Sequence, residues 1–159
     1  MKQVDVWDTE RARQLIEELQ GTPRALLPIL RALQKKFGYI DKAAVPIIAR
    51  ALNKTKAEVC STISFYPDFR NIPPGSHVLK ICRAEACQSM GCGKLIEHVE
   101  NRLDIQLGQT TADGAFTVEQ IFCLGLCAQP PAVMLDGRVY GRVTQEVVDS
   151  LLDSARSPV

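Results

Sequence analysis

Hydrophobic residues recur at helical spacing through the first half of the chain. Ala12, Leu15, Ile16 and Leu19 share one face behind Asp8, which can cap a helix running to about Gln20. Gly21 ends that segment, and Thr22-Pro23 offers a fresh cap with a proline in the first turn. Leu26, Ile29, Leu30, Leu33 and Phe37 mark a second helix stopped by Gly38; Pro28 inside it predicts a late start or a bend. Asp41 can cap a third helix carrying Val45, Ile47, Ile48 and Leu52, with Pro46 near its first turn. Asn53 ends it, and Thr55 opens a fourth through Val59, Cys60 and Ile63 toward Phe65 and Tyr66, with Cys60 read as core. Four short amphipathic helices predict a helical bundle or an interaction module. A helix-turn-helix DNA reader is set aside, because Lys54-Thr55-Lys56-Ala57-Glu58-Val59 lacks the Arg, Asn and Gln row that reads base edges.

The period changes after a break. Pro67 to Ser76 holds prolines and a glycine and reads as a linker, so the chain is expected to divide into residues 1–70 and 71–159. His77 to Ile81 then reads as a strand, and Gly93 to about Leu103 as a helix with Leu95, Ile96, Val99 and Leu103 inward. Phe116 to Phe122 and Ala132 to Leu135 are further strands, and Asp136-Gly137 is a hairpin signal leading into Arg138 to Val143. Thr144 caps a last helix with Val147, Val148, Leu151 and Leu152 on its inner side. The order strand, helix, strand, strand, strand, helix behind a helical front predicts an α+β chain.

Composition narrows the function. With 159 residues, 46% of them hydrophobic, the chain can build one domain or two small ones, and wholesale disorder is excluded. Nineteen basic and 18 acidic side chains leave a formal charge of +1, which speaks against a dedicated nucleic-acid binder. That balance hides a division: residues 1–76 hold 12 basic and 8 acidic side chains (+4), and residues 77–159 hold 7 and 10 (−3). Every apolar stretch is broken by charge, so no membrane insertion is expected. MKQVDVWDTERARQL has no apolar core of a secretory signal, so a cytoplasmic location is expected.

Against that background six cysteines stand out, at positions 60, 82, 87, 92, 123 and 127. In a reducing compartment they read as metal ligands or catalytic thiols rather than structural disulfides. Cys82 and Cys87 follow the first predicted strand, and Cys123 and Cys127 follow the second. The helix between these strands makes a βαβ crossover, hence parallel strands whose carboxyl ends share one edge. Two cysteine pairs would then meet where α/β proteins usually place their ligands. Three occupants compete for four thiolates. Structural zinc favours C-x₂-C hairpins, and both loops here are longer. Two disulfides are disfavoured by the expected compartment. A [2Fe–2S] cluster suits a C-x₄-C pair, although the rest of the plant-type ferredoxin spacing is missing. Cys92 reads as a small buried residue beside the site. His77 and His98 lie far from both loops, which argues against a Rieske-type centre, and His98 reads as a surface residue. No nucleophile–base pair, GxGxxG or P-loop is present, and no C-x-x-C redox pair, so neither a nucleotide site nor thiol–disulfide exchange is expected.

Cys82-x₄-Cys87 followed after 35 residues by Cys123-x₃-Cys127 resembles the thioredoxin-like [2Fe–2S] ferredoxin family. ALLPILRALQKKFGYI, VPIIARALN and STISFYPDF are similar to its helical front half, and FTVEQIFCLGLC and LDGRVYGRVT to its cluster-binding half. The family includes the 24-kDa-type subunit of respiratory NADH dehydrogenase and matching subunits of NAD-reducing hydrogenases and formate dehydrogenases. Phe122 and Leu126 depart from the residues usual in the respiratory subunits, and CRAEACQSMGC with FCLGLC looks closer to the gamma subunit of molybdenum-containing, NAD-dependent formate dehydrogenases. The resemblance implies a thioredoxin-like α/β domain holding one [2Fe–2S] cluster on Cys82, Cys87, Cys123 and Cys127. It implies no catalytic residue on this chain. Backbone N–H groups near Gly91, Gly93, Leu124 and Gly125 are expected to donate to the sulfurs, and the helix starting near Gly91 to point its positive end at them. The helical front is the expected docking element. FMN and NAD are expected on a partner subunit, and a molybdenum cofactor on a catalytic subunit beyond it, most nearly in a formate dehydrogenase. The 24-kDa-type subunit of NADH-quinone oxidoreductase, or of an NAD-reducing hydrogenase, is the alternative.

Overall fold

The computed structural model describes residues 5–156, so the first four residues of the stretch read for a leader lie outside it. The chain forms two compact units, Met1–Pro73 and Pro74–Val159.

In the first unit, helix α1 spans Thr9–Leu19, and Asp8 caps it by accepting from the N–H groups of Glu10 at 2.8 Å and Arg11 at 3.2 Å. Helix α2 spans Leu26–Phe37 and starts later than the Thr22-Pro23 signal implied. Thr22 is used otherwise: its hydroxyl donates to the Leu19 carbonyl at 2.7 Å, closing the end of α1. Pro28 therefore falls in the first turn of α2, where its missing N–H leaves no hydrogen bond unmade. Gly38 ends α2 in the left-handed region at φ 79°, a conformation its lack of a Cβ makes cheap. Helix α3 spans Ala44–Ala51, preceded by Asp41, which accepts from the Ala43 N–H at 2.8 Å. Helix α4 spans Lys56–Phe65 behind a reciprocal cap of Thr55 and Glu58.

These helices close over Ile16, Ile29, Leu30, Leu33, Phe37, Ile40, Ile48 and Val59, all nearly or fully buried, and Trp7 packs at 4.8 Å on Phe37. Cys60 does not join them. It is exposed, because Val59 and Ile63, four residues apart, take the inward face of α4 and leave Cys60 roughly 100° round the helix.

The second unit is a four-stranded sheet in the order β2-β1-β3-β4, with β1 His77–Cys82, β2 Phe116–Ile121, β3 Val133–Leu135 and β4 Arg138–Tyr140. Strands β1 and β2 pair in parallel from His77↔Phe116 to Cys82↔Ile121, while β3 runs antiparallel to β1 through Leu79↔Leu135 and Ile81↔Val133. Helix α6, Cys92–Leu103, makes the crossover, and α7, Gln145–Arg156, closes the chain behind Thr144. Between β1 and α6 lies a short helix, α5 Glu85–Ser89, which hydrophobic periodicity is too short to reveal. Ladder pairing runs shorter than the apolar runs suggest: β2 stops at Ile121, and Phe122 beyond it is 66% exposed.

The core gathers Leu79, Ile81, Phe116, Val118 and Val133 from the sheet with Val99, Val148 and Leu152 from the helices. Both histidines are held by carboxylates. His77 Nδ1 lies 2.6 Å from Asp136 in the β3–β4 turn. His98, expected at the surface, is half-buried and lies 2.9 Å from Asp149, tying α6 to α7 together with the Arg102–Asp153 pair at 3.0 Å. Gly141 is required by proximity: a Cβ there would meet the Gln129 side chain at 2.8 Å and its carbonyl at 2.9 Å.

Two outcomes follow. Gly141→Ala is expected to destabilise the protein by about 1–3 kcal/mol through overpacking, read as a drop in unfolding midpoint of about 2–4 °C per kcal/mol. The Thr55 N–H, donating at 2.8 Å, is the foremost of the contacts holding the Glu58 carboxyl below its usual value near 4.5. A lowered folded value gives stabilisation present above that pH and lost as pH falls through the folded value. Glu58→Gln is therefore expected to melt below the parent at about pH 7, with the gap closing toward about pH 3, followed by circular dichroism.

Candidate metal centre

Parallel pairing of β1 and β2 sends the chain out of both strands at the same edge of the sheet. Cys82 is the last residue of β1, not the first beyond it, and Cys87 sits in α5. Cys123 lies two residues past β2, and Cys127 opens the turn closed by the Gln129 N–H on the Leu126 carbonyl. All six cysteines of the chain are free.

The sulfurs meet as pairs. Cys123 Sγ and Cys127 Sγ lie 3.6 Å apart, far beyond a disulfide bond of about 2.05 Å. That separation suits two thiolates on one metal atom, since metal–sulfur bonds of about 2.3 Å in a tetrahedron set neighbouring sulfurs about 3.8 Å apart. Cys82 and Cys87 form the second pair, each thiol close enough to shift the other's ionisation. Among the described residues no group of three or more His, Cys, Asp or Glu side chains is arranged to hold a single metal ion.

Backbone supplies the local polarity. Burial pushes the Cys82 thiol up, but hydrogen bonds from the main chain at Ala84, from Cys87, and from the main chain at Cys123 and Leu124 outweigh it and leave the group lowered. The Cys82 sulfur is thus held by the loop carrying the other pair. Burial, then the neighbouring Cys82 thiol, pushes Cys87 up to about 11 against the opposing main chain of Ala132, just ahead of β3. The Cys127 thiol is raised first by its hydrogen bond to Cys123 and then by that neighbour's charge. Gly125 donates its N–H to Cys123 Sγ at 3.4 Å. The turn that allows this bends left-handed at Cys123, φ 72°, and Gly125, φ 77°. For a residue with a Cβ, such as Cys123, that backbone costs about 1–2 kcal/mol and persists only where its surroundings hold it.

Of the four main-chain donors expected from sequence, Leu124 and Gly125 reach sulfurs, whereas the Gly91 N–H is spent on the Gln88 carbonyl at 3.1 Å. Donors at Ala84, Cys123 and Ala132 had no sequence signal, because only the fold brings their N–H groups to these sulfurs. Cys92 begins α6 buried beside the pocket, its thiol raised by burial and by Cys82 and partly offset by Arg83. Burial is unequal: Cys82 and Cys87 are each 2% exposed, while Cys123 and Cys127 are exposed.

Two pairs of cysteines at the carboxyl edge of a small mixed sheet, in a chain with a helical front unit, define a class of cysteine-bearing α/β proteins. The chain belongs to the thioredoxin-like [2Fe–2S] ferredoxin family, which it matches over residues 12–156. It is 34% identical over 133 residues to a subunit of the NADH-quinone oxidoreductase of Pseudomonas aeruginosa, covering 83% of this chain and 80% of that protein. It is 32% identical over 139 residues to a subunit of the NADP-reducing hydrogenase of Solidesulfovibrio fructosivorans, covering 87% and 81%. Its structure is similar to a crystal structure of an NAD⁺-reducing [NiFe]-hydrogenase in the H₂-reduced state, with a TM-score of 0.69 and 28% identity over 82% of this chain. This chain spans only 22% of the length of that hydrogenase chain. The nearness to formate dehydrogenase expected from CRAEACQSMGC and FCLGLC finds no support in these relatives.

In the metal-free chain, iodoacetamide at about pH 8 is expected to modify exposed Cys60 well before Cys87, whose raised thiol leaves little thiolate. Peptide mapping by mass spectrometry reads the order, and the rate at Cys87 is expected to climb about tenfold per pH unit up to its raised value.

Proposed function

We propose that this chain is the electron-transfer subunit of a multi-subunit oxidoreductase, and that Cys82, Cys87, Cys123 and Cys127 hold its [2Fe–2S] cluster as thiolates. The observation that carries the reading is the meeting of two cysteine pairs, one buried and one exposed, on a single edge of the sheet. Four sulfur donors in two pairs fit a dinuclear centre, and N–H groups from Ala84, Cys123, Leu124 and Gly125 fit its negative charge. When bound, the cluster supplies reversible one-electron transfer.

The chain's own residues shape that exchange. Cys82 and Cys87 belong to the buried cluster of the second unit, which excludes water from that side. Cys123 and Cys127 face outward, and the loops that bear the cysteines also expose Phe122 and Met90, 66% and 60% accessible. A redox partner can approach this side closely and cover these apolar groups, and close approach is what electron transfer requires. The partner we infer is a flavin- and NAD-binding subunit, which would hold FMN and NAD; the NADH- and NADP-linked names of the relatives support the nucleotide part of that reading. Residues 1–70 serve as the docking domain and residues 71–159 as the cluster domain. The assembly belongs in the cytoplasm, where thiols stay reduced. Among the described residues no helix is long and apolar enough to cross a membrane.

The relatives favour a complex of the NADH-quinone oxidoreductase or NAD(P)-reducing hydrogenase type. CRAEACQSMGC together with FCLGLC carries the second reading, the gamma subunit of a formate dehydrogenase with a molybdenum-containing catalytic subunit. The polypeptides that co-purify with the native chain distinguish these complexes.

Anaerobically reconstituted protein is expected to be brown, to carry about two irons per chain and to give an EPR signal on reduction. Serine at any of the four cysteines is expected to abolish or alter the spectrum, whereas Cys60→Ser is expected to leave it unchanged. A colourless protein loaded with zinc would overturn the reading.

A further inference from the structure

Between the first turn of α3 and one flank of α4 runs a groove of about 430 Å³. Val45 and Pro46 line it from α3, and Lys56, Cys60 and Ile63, at helical spacing along α4, form the facing wall. Ile40 and Ile63 at its base are buried members of the helical core, so the groove is built on packed side chains. It carries two cations and no anion. Lys42 and Lys56 line it, both exposed, and among the described residues neither enters an ion pair. The carboxylates nearest to them in sequence are already occupied. Asp41 accepts from the Ala43 N–H at 2.8 Å and from the Tyr39 hydroxyl at 3.2 Å. Glu58 accepts from the Thr55 N–H at 2.8 Å and pairs with Lys54 at 3.4 Å. Apolar surface also continues past the groove. Phe65, next to Ser64 of the lining, is 76% exposed, and Ile72, next to Asn71 of the lining, is 66% exposed.

We propose that this groove docks a short segment of the partner subunit that is both apolar and acidic, with its apolar side chains on Val45, Pro46 and Ile63 and its carboxylates over Lys42 and Lys56. The proposal rests on the reading above of residues 1–70 as the docking domain, and gives that domain a surface and its occupant a chemistry. A concave site lined by charge of one sign favours a partner of the opposite sign and repels one of its own. Exposed lysines are screened by water and salt, so their part is selection and orientation, while the apolar floor supplies the hold. The volume lies within the range of small-ligand sites, about 300–1,000 Å³. A ligand of that size would leave Phe65 and Ile72 in water, whereas a polypeptide running on past the groove covers them. Two copies of this chain joined symmetrically at the groove would set its lysines against each other.

Cys60 reports on the groove, being free, exposed and part of its wall. The test compares iodoacetamide labelling of Cys60, read by peptide mapping, in the isolated chain and in the native complex purified through a tagged chain. Labelling in the complex is expected to be at least about tenfold slower, since alkylation needs an accessible thiol. The double variant Lys42→Glu, Lys56→Glu is expected to carry at least about tenfold less of the co-purifying subunits. Lys35→Glu, the same charge change outside the groove, is expected to carry as much as the parent. Equal labelling of Cys60 in complex and isolated chain, or an equal loss in Lys35→Glu, overturns the proposal. Protection of Cys60 in the isolated chain by laurate, a small anionic amphiphile, or by self-association at raised concentration also overturns it. Should the double variant lose the circular dichroism of the parent, Cys60 labelling of the parent decides alone. A tagged chain that co-purifies with no other subunit removes the reading of the chain as part of a complex, an outcome distinct from an assembled complex with unprotected Cys60.

Discussion

Everything at the cysteine edge depends on the parallel pairing of His77–Cys82 with Phe116–Ile121. Parallel strands leave a sheet on the same side, so loops distant in sequence open onto one volume. An antiparallel arrangement would send Cys82 and Cys123 to opposite ends. The crossover helix Cys92–Leu103 enforces the parallel choice and covers the sheet with Leu95, Ile96 and Val99. The register matters as much as the direction. Cys82 stands opposite Ile121, so the two loops begin level, and the Cys82 sulfur comes within reach of the main chain at Cys123 and Leu124.

Burial and polarity are balanced unequally across the pocket. Apolar surroundings raise the cost of a thiolate at Cys82 and Cys87, and main-chain N–H groups offset that cost without adding flexible charges. The Cys123–Cys127 turn relies instead on solvent and a tight left-handed bend that lets Gly125 donate to sulfur. One side of the pocket is thus dry and the other is open. That asymmetry is what a relay needs, because a group sealed on both sides cannot be approached and one open on both sides loses its ligands to water.

Much of this was legible in the order of residues. Asp8, Gly38, Thr55 and Thr144 end or begin helices where their local chemistry says they should, since caps act over three or four residues and need no tertiary partner. The Asp136-Gly137 turn is likewise local, both residues taking positive φ. The misreadings share one cause. Thr22 looks like a cap for the helix after it and serves the one before it. Cys60 looks like core and faces outward; His98 looks like surface and finds Asp149 on another helix. Each depends on which way an element turns against its neighbours.

By itself, the sequence determined the helical front, the alternation of strand and helix behind it, and the two cysteine spacings that mark the family. These are short-range properties, set by backbone preference, caps and hydrophobic period. Only the tertiary structure decided which pair is buried, which N–H groups meet the sulfurs, and that Ile40, Ile63 and Asn71 line one groove. Those facts arise from strand register and from packing between segments far apart in the chain, where no local preference reaches.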